Sequence, residues 1–163
     1  MVTKRLSRET GHKRKFLAVI DETPECERAV AYASRRAKST GGTLVLLYVI
    51  DTSDFQQFMG VEKVMRAEAE DRAGQVLAKF TDFMRVRHEI EPEAVIREGK
   101  IAEQIHKLID EDQDIAILVL ATSASKEGPG PLVQSIAGRG AAFPIPVTIV
   151  PHSLTDEDIE SVA

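Results

Sequence analysis

A single cysteine, Cys26, stands in the whole sequence. No intramolecular disulfide can form, and a reducing compartment fits such a chain. Tryptophan is absent and aromatic residues make up only 5%, so the core must be aliphatic, as it is in parallel-sheet proteins. No apolar run approaches the roughly 18 residues that a membrane-spanning helix needs. The first residues also lack the apolar stretch of a signal peptide, so a cytoplasmic location is expected. A net charge of −5 gives no global attraction to nucleic acid or to acidic membranes.

Catalytic patterns are equally scarce. His12, His88, His106 and His152 are scattered, and no spacing among them suggests a zinc site. There is no Gly-x-Ser-x-Gly elbow and no Walker lysine. Cys26 has no histidine at motif distance and falls on the apolar side of a helical pattern, which favours a buried thiol. Lys126 and Glu127 are neighbours in a loop, where adjacent side chains point apart instead of forming an acid–base pair.

What is present is an ordinary globular composition. The 163 residues, 43% hydrophobic and 29% charged, suit one domain with a full-sized core. Residues 1–14 read as a disordered basic arm, with Lys4, Arg5, Arg8, Lys13 and Arg14 set against Glu9 alone. Such a segment is a solvated tail or an electrostatic arm for an acidic partner, with the tail favoured. Residues 15–152 read as the folded domain, and residues 153–163 as an acidic tail carrying Asp156, Glu157, Asp158 and Glu160.

Within the domain, apolar runs alternate with helical patterns. Residues 16–20 (FLAVI) form a buried strand that ends at Asp21. Asp21 or Thr23 can cap the next helix, and Pro24 suits its first position. That helix covers residues 25–39, with Cys26, Ala29, Val30, Ala33 and Ala37 at helical spacing, and Gly41-Gly42 stops it. A second strand, 43–50, precedes a loop over 52–60. A long helix over 61–87 carries an apolar stripe of Val61, Val64, Met65, Ala69, Ala73, Val76, Leu77, Phe80 and Met84. A weaker strand over 89–97 contains Pro92 and suits a sheet edge. Gly99 turns the chain into a third helix, 101–109.

Residues 115–150 hold the most suggestive stretch. A buried strand (115–120) breaks into Thr122, Ser123 and Ser125, then Lys126 and Glu127, then Gly128-Pro129-Gly130-Pro131. A helical segment follows, and then a β-branched run, 145–150. Small residues after a buried strand allow close approach of a ligand to the backbone. Gly128 to Pro131 is either an anion-binding nest or a rigid turn that sets the next helix. The whole pattern is β-α-β-α-β-α-β-α-β, which predicts an open, mainly parallel five-stranded sheet with helices on both faces. Ligands of such sheets bind at the carboxyl ends of strands where strand order reverses. That rule selects Asp21, Asp51, the 97–99 turn and the 121–130 loop.

Four segments in this order resemble the universal stress protein family, over about residues 14–151: FLAVIDET with Pro24, LVLLYVID, REGKIAEQI, and LVLAT followed by FPIPVTIVP. The resemblance implies an adenine nucleotide alpha hydrolase-like fold with strand order 3-2-1-4-5. It implies that Asp21 contacts adenosine and that Val49 flanks adenine, although Val49 also reads as plain core and Asp21 as a cap. In nucleotide-binding members a Gly-x2-Gly-x9-Gly-Ser/Thr pattern cradles ribose and phosphates. Aligning Ser135 with its hydroxyl places Ala121, Ala124 and Gln134 on the three glycines. Gly128 and Gly130 lie further along, and Ser123 and Lys126 offer a hydroxyl and a charge. The candidate nucleotide site is therefore Asp21, Val49, Ala121, Ser123, Ala124, Lys126, Gly128, Gly130 and Ser135, with Gln134 in the phosphate path. The implied function is a stress-response module that binds ATP or AMP. The alternatives are a dimeric scaffold without nucleotide and, with least support, a slow nucleotide hydrolase. Family members commonly pair through the last strand, which implies a homodimer through residues 146–150.

Overall fold

The computed structural model describes residues 3–53, 55–58, 60–137 and 143–163. Parts of the loop expected over 52–60, the first two residues of the basic arm, and the connection after the fourth helix fall outside them. The elements are β1 (Lys15–Ile20), α1 (Cys26–Thr40), β2 (Thr43–Ile50), a short 3₁₀ turn (Phe55–Gln57), α2 (Glu62–His88), β3 (Glu93–Glu98), α3 (Ile101–Glu111), β4 (Ile115–Ala121), α4 (Pro131–Ala137), β5 (Val147–Val150) and α5 (Asp156–Val162).

The five strands form one sheet in the order β3-β2-β1-β4-β5, with every neighbouring pair parallel. This is the order implied by the family resemblance. Strand periodicity divides the core in two. Phe16, Ala18, Ile20, Leu44 and Leu46 face α1 and α2. Leu17, Val19, Val45 and Leu47 face α3 and α4. A fully buried Leu or Ile contributes about 1.5–3 kcal/mol, so the two layers, mostly aliphatic with Phe16 buried in the first, hold the sheet. A register shift beside Lys15 pairs Lys15 with Ile115 but Phe16 with Ile117; it lets Ile115 and Leu118 face the same layer.

The first helix follows its sequence pattern: Cys26, Ala29, Val30, Ala33 and Ala37 are buried. Gly41 ends it in the left-handed conformation, φ 68°, which a side chain would strain. Neither Asp21 nor Thr23 caps it. The N-cap position is Glu25, without a side-chain hydrogen bond, and Thr23 acts through its backbone carbonyl, which accepts from the Cys26 amide at 3.2 Å.

Three expectations need correction. Val61 and Val64 are 47% and 58% exposed and do not belong to the core. In the first turns of α2 it is Met65 and Ala69 that pack inward, against Ile50 and Phe55. The weak strand begins at Glu93, not at residue 89, because Glu89 adopts φ 54° and terminates α2; as expected, the strand is an edge. The basic arm is not a free tail from residue 3 onward. The Leu6 amide donates to Gln113 at 2.9 Å, His12 Nδ1 lies 2.7 Å from Asp114, and Arg5 reaches three backbone carbonyls.

The acidic C-terminal segment is likewise a docked helix. Thr155 and Asp158 form a reciprocal capping box at its start, Ile159 is 2% exposed, and Asp156 is shared by Arg28 of α1 and Arg87 of α2. Among the described residues no helix is long and apolar enough to cross a membrane.

Candidate nucleotide site at the strand-order reversal

Strand order reverses between β1 and β4, and a cavity opens there at the carboxyl ends. Asp21, Thr23, Cys26, Ala121, Gly130 and Pro131 are among its walls. Its volume is about 30 Å³, room for one water molecule. The turn around Pro129 fills the rest: the Ser123 amide donates to the Pro129 carbonyl at 2.9 Å, which folds the loop back over the end of β4.

Asp21 is exposed, and its Oδ1 accepts from the Thr23 amide at 3.1 Å and the Thr23 hydroxyl at 2.6 Å. One carboxylate oxygen is therefore committed to the β1–α1 turn. Cys26 sits just behind. Its thiol contacts the Val19 carbonyl at 3.5 Å, and burial pushes its pKa up to about 12. The thiol is a packing group, not a nucleophile.

The loop after β4 contains Gly128 at φ 131° and Gly130 at φ 102°, conformations that suit glycine. A Cβ on Gly130 would lie 3.3 Å from that of Ser123, so these two candidate residues pack together. Ser123 and Ser125 turn their hydroxyls inward to accept the amides of Ser125 and Glu127, each at 3.1 Å. Ala124 and Lys126 are exposed on the loop. Ser135 is exposed on α4 and does not line the cavity. The Gln134 carboxamide nitrogen stands 3.4 Å from where a Gly128 Cβ would be, against the rearranged glycines. Val49 is half-buried in the layer under α3 and α4 and does not line this cavity. The fold thus brings Asp21, Ala121 and Gly130 into one crevice, with Ser123 behind Gly130.

Two clusters beside the crevice were not legible beforehand. Glu22, at φ 60°, accepts from the Tyr48 hydroxyl at 2.8 Å and from Arg72 Nε and Nη2 at 2.9 and 2.8 Å. Arg72 first, and then Tyr48, hold its carboxyl below the usual carboxylate range, while burial and then Glu22 raise the Tyr48 phenol. On the other side, the Thr122 hydroxyl accepts from the His152 amide at 3.0 Å and lies 3.3 Å from its Nδ1, which fastens the end of β5 to the loop. No local pattern links residue 22 to 72; the pairing of Thr122 with His152 follows only once β4 and β5 are known to be neighbours.

The sequence profile of the universal stress protein family matches residues 13–151. Solved structures share the fold. A universal stress protein UspA from Lactobacillus plantarum superposes with a TM-score of 0.71 at 16% identity, over 84% of this chain and 97% of that one. A universal stress protein in complex with cAMP gives 0.56 at 19% identity, over 86% and 98%. A universal stress protein family protein from Arabidopsis thaliana with AMP bound gives 0.59 at 17% identity, over 88% and 94%. No curated protein matches the sequence.

Proposed function

The chain belongs to the universal stress protein family, and we propose that it is a small cytoplasmic stress-response module that binds an adenine nucleotide, ATP or AMP, at the carboxyl ends of β1 and β4. The observation that carries this reading is the convergence of Asp21, Ala121 and Gly130 on one crevice at the strand-order reversal, where sheets of this type bind ligands. The cAMP and AMP bound by two structural neighbours support it. In this reading Asp21 and Val49 serve the adenosine end. Ala121, Ser123, Ala124, Lys126, Gly128, Gly130 and Ser135 serve the ribose and phosphate end. Entry requires the Pro129 turn to swing away, because the cavity as it stands holds only a water.

A second reading, a dimeric scaffold without nucleotide, draws on that same closed turn. Both readings include a homodimer through residues 146–150. β5 is a sheet edge, Ile149 is 42% exposed, and an apolar hollow of about 300 Å³ lies beside it, lined by Val133, Ile136, Phe143 and Val147 among others. An edge of this kind invites pairing with a second copy. Ile149→Asp is expected to turn a dimer into a monomer in light scattering; an unchanged mass would remove β5 from the interface.

The nucleotide reading is tested by denaturing the purified protein and analysing the supernatant, then titrating ATP and AMP by calorimetry. Carried or added nucleotide is expected to bind, and Asp21→Ala is expected to weaken it about tenfold, the equivalent of 1.4 kcal/mol. Neither carried nor titratable nucleotide would leave the scaffold reading standing.

A further inference from the structure

Among the described residues, most arginines have a carbonyl or carboxylate partner: Arg5 at the end of α3, the others in ion pairs. The exceptions are Arg8, Arg14, Arg35 and Arg36. Three of these, Arg8, Arg14 and Arg36, come together at the amino end of the sheet, opposite the crevice.

The fold explains the gathering. The Arg14 carbonyl accepts the Thr43 amide at 2.8 Å, so Arg14 stands where β1 meets the exit from α1. Gly42 is so near that a Cβ on it would lie 2.5 Å from that carbonyl. Side chains alternate across a strand. Lys15 takes the side of Leu17 and finds Glu93 and Asp112 there, at 2.9 and 2.8 Å. Arg14 takes the side of Phe16, toward α1, and the Arg36 guanidinium lies over the Phe16 ring at 6.0 Å. Arg8 projects from the arm, which Leu6 and His12 hold against the end of α3 and the start of β4. Burial first, and then the charges of Arg8 and Arg36, push the Arg14 guanidinium below its ordinary value. The carboxylates at this end are already engaged: Glu9 by Lys4, Glu93 and Asp112 by Lys15, and Asp114 by His12.

Crowding like charges costs free energy, and an anion placed among them relieves it. A guanidinium is a planar fork that binds carboxylate or phosphate oxygens in pairs. A carboxylate brings one charge and two oxygens, too few for three forks. A phosphate group brings about two charges and three acceptor oxygens. The cluster is compact and the whole chain carries a net charge of −5, which disfavours an extended polyanion such as nucleic acid.

We propose that Arg8, Arg14 and Arg36 form an anion site at the amino end of the sheet, for a small free phosphate compound that carries two or more negative charges. The site is independent of the nucleotide reading, because no residue of the crevice takes part in it.

The test is calorimetric titration of the full chain with inorganic pyrophosphate, in magnesium-free buffer at constant ionic strength. One equivalent is expected to bind, and Arg14→Gln and Arg36→Gln are each expected to weaken it about tenfold. Arg8→Gln is expected to weaken it several-fold. Arg8 is exposed on the arm, so this variant leaves the core untouched and keeps the test decisive if either of the others fails to fold. No pyrophosphate binding overturns the proposal, as does binding that the folded variants leave unchanged. Arg36→Lys keeps the charge and loses the fork, and is expected to bind more weakly than the parent. Parental affinity in that variant would mean diffuse attraction to charge and overturns a site built from guanidinium groups. A glutamate peptide that displaces pyrophosphate at equal concentration overturns the choice of phosphate.

Discussion

The guanidinium of Arg5 donates to the carbonyl of Ile109 at 2.6 Å, so a residue near the start of the chain closes the last turn of α3. The same Nη1 lies 3.2 Å from the carbonyls of Asp112 and Ile115, bridging the end of α3 to the first residue of β4. Terminal helix carbonyls without partners are costly, and a cation beside them is favourable.

Arg5→Ala is expected to destabilise the fold by about 1.5–3 kcal/mol, the range for hydrogen bonds to a charged group. It should also loosen the segment that follows it. Limited trypsin digestion would then cut at Arg8 and Lys13 faster than in the parent protein. Equal digestion rates would mean that the arm is held by Leu6 and His12 alone.

Asp156 ties α5 to two helices at once. Its hydrogen bond from Arg28, followed by the one from Arg87, holds its carboxyl below the ordinary value of 3.8. A carboxyl with a depressed folded-state pKa contributes stability above its unfolded pKa and loses it as pH falls through the folded value. The carboxylate is 46% exposed, so solvent screening keeps the contribution small, under about 1 kcal/mol. Asp156→Asn is expected to be less stable than the parent in urea at pH 7, and the gap is expected to narrow steadily as the pH falls below 3.8. A gap that stays constant as the pH falls would show that the substitution acts through something other than charge.

Gly130 sits at φ 102° with its missing Cβ facing Ser123. Gly130→Ala is expected to cost about 1–3 kcal/mol in backbone strain and crowding. The comparison is denaturant unfolding of the two proteins. A loss below about 0.5 kcal/mol, the usual range for a neutral surface change, would mean that the turn relaxes freely.

Cys26 is buried, with its thiol pushed up to about 12. At pH 8 this leaves on the order of a thousandfold less thiolate than an ordinary cysteine carries. Ellman's reagent is expected to react with the protein only after denaturant is added. Rapid, stoichiometric reaction of the native protein would show that the turn around Thr23 and Pro131 opens to admit reagents.

Much of the architecture could be read from neighbouring residues, because strands and helices write their periods of two and 3.6 into short windows. The runs at 16–20, 43–50 and 115–120 became β1, β2 and β4 within a residue or so of their expected limits. Gly41 ended α1, and Gly99 made the turn into α3. The composition determined an aliphatic core, and the β-α alternation with the family resemblance determined the sheet order. The candidate site was legible only as far as the strand ends were. Asp21 and Ala121 had to lie at the reversal once the order was known.

Tertiary structure alone decided what that site can hold. Whether Ser123 offers its amide to a ligand or to Pro129 depends on how a six-residue turn closes, which no periodicity encodes. The pairing of Glu22 with Arg72 crosses 50 positions, that of Arg5 with Ile109 crosses 104, and that of Arg28 with Asp156 crosses 128. A charge in a sequence marks a side chain that wants a partner or water, and only the folded chain says which it has. For that reason the segments at both ends, which read as a basic arm and an acidic tail, are seen as docked elements only in three dimensions.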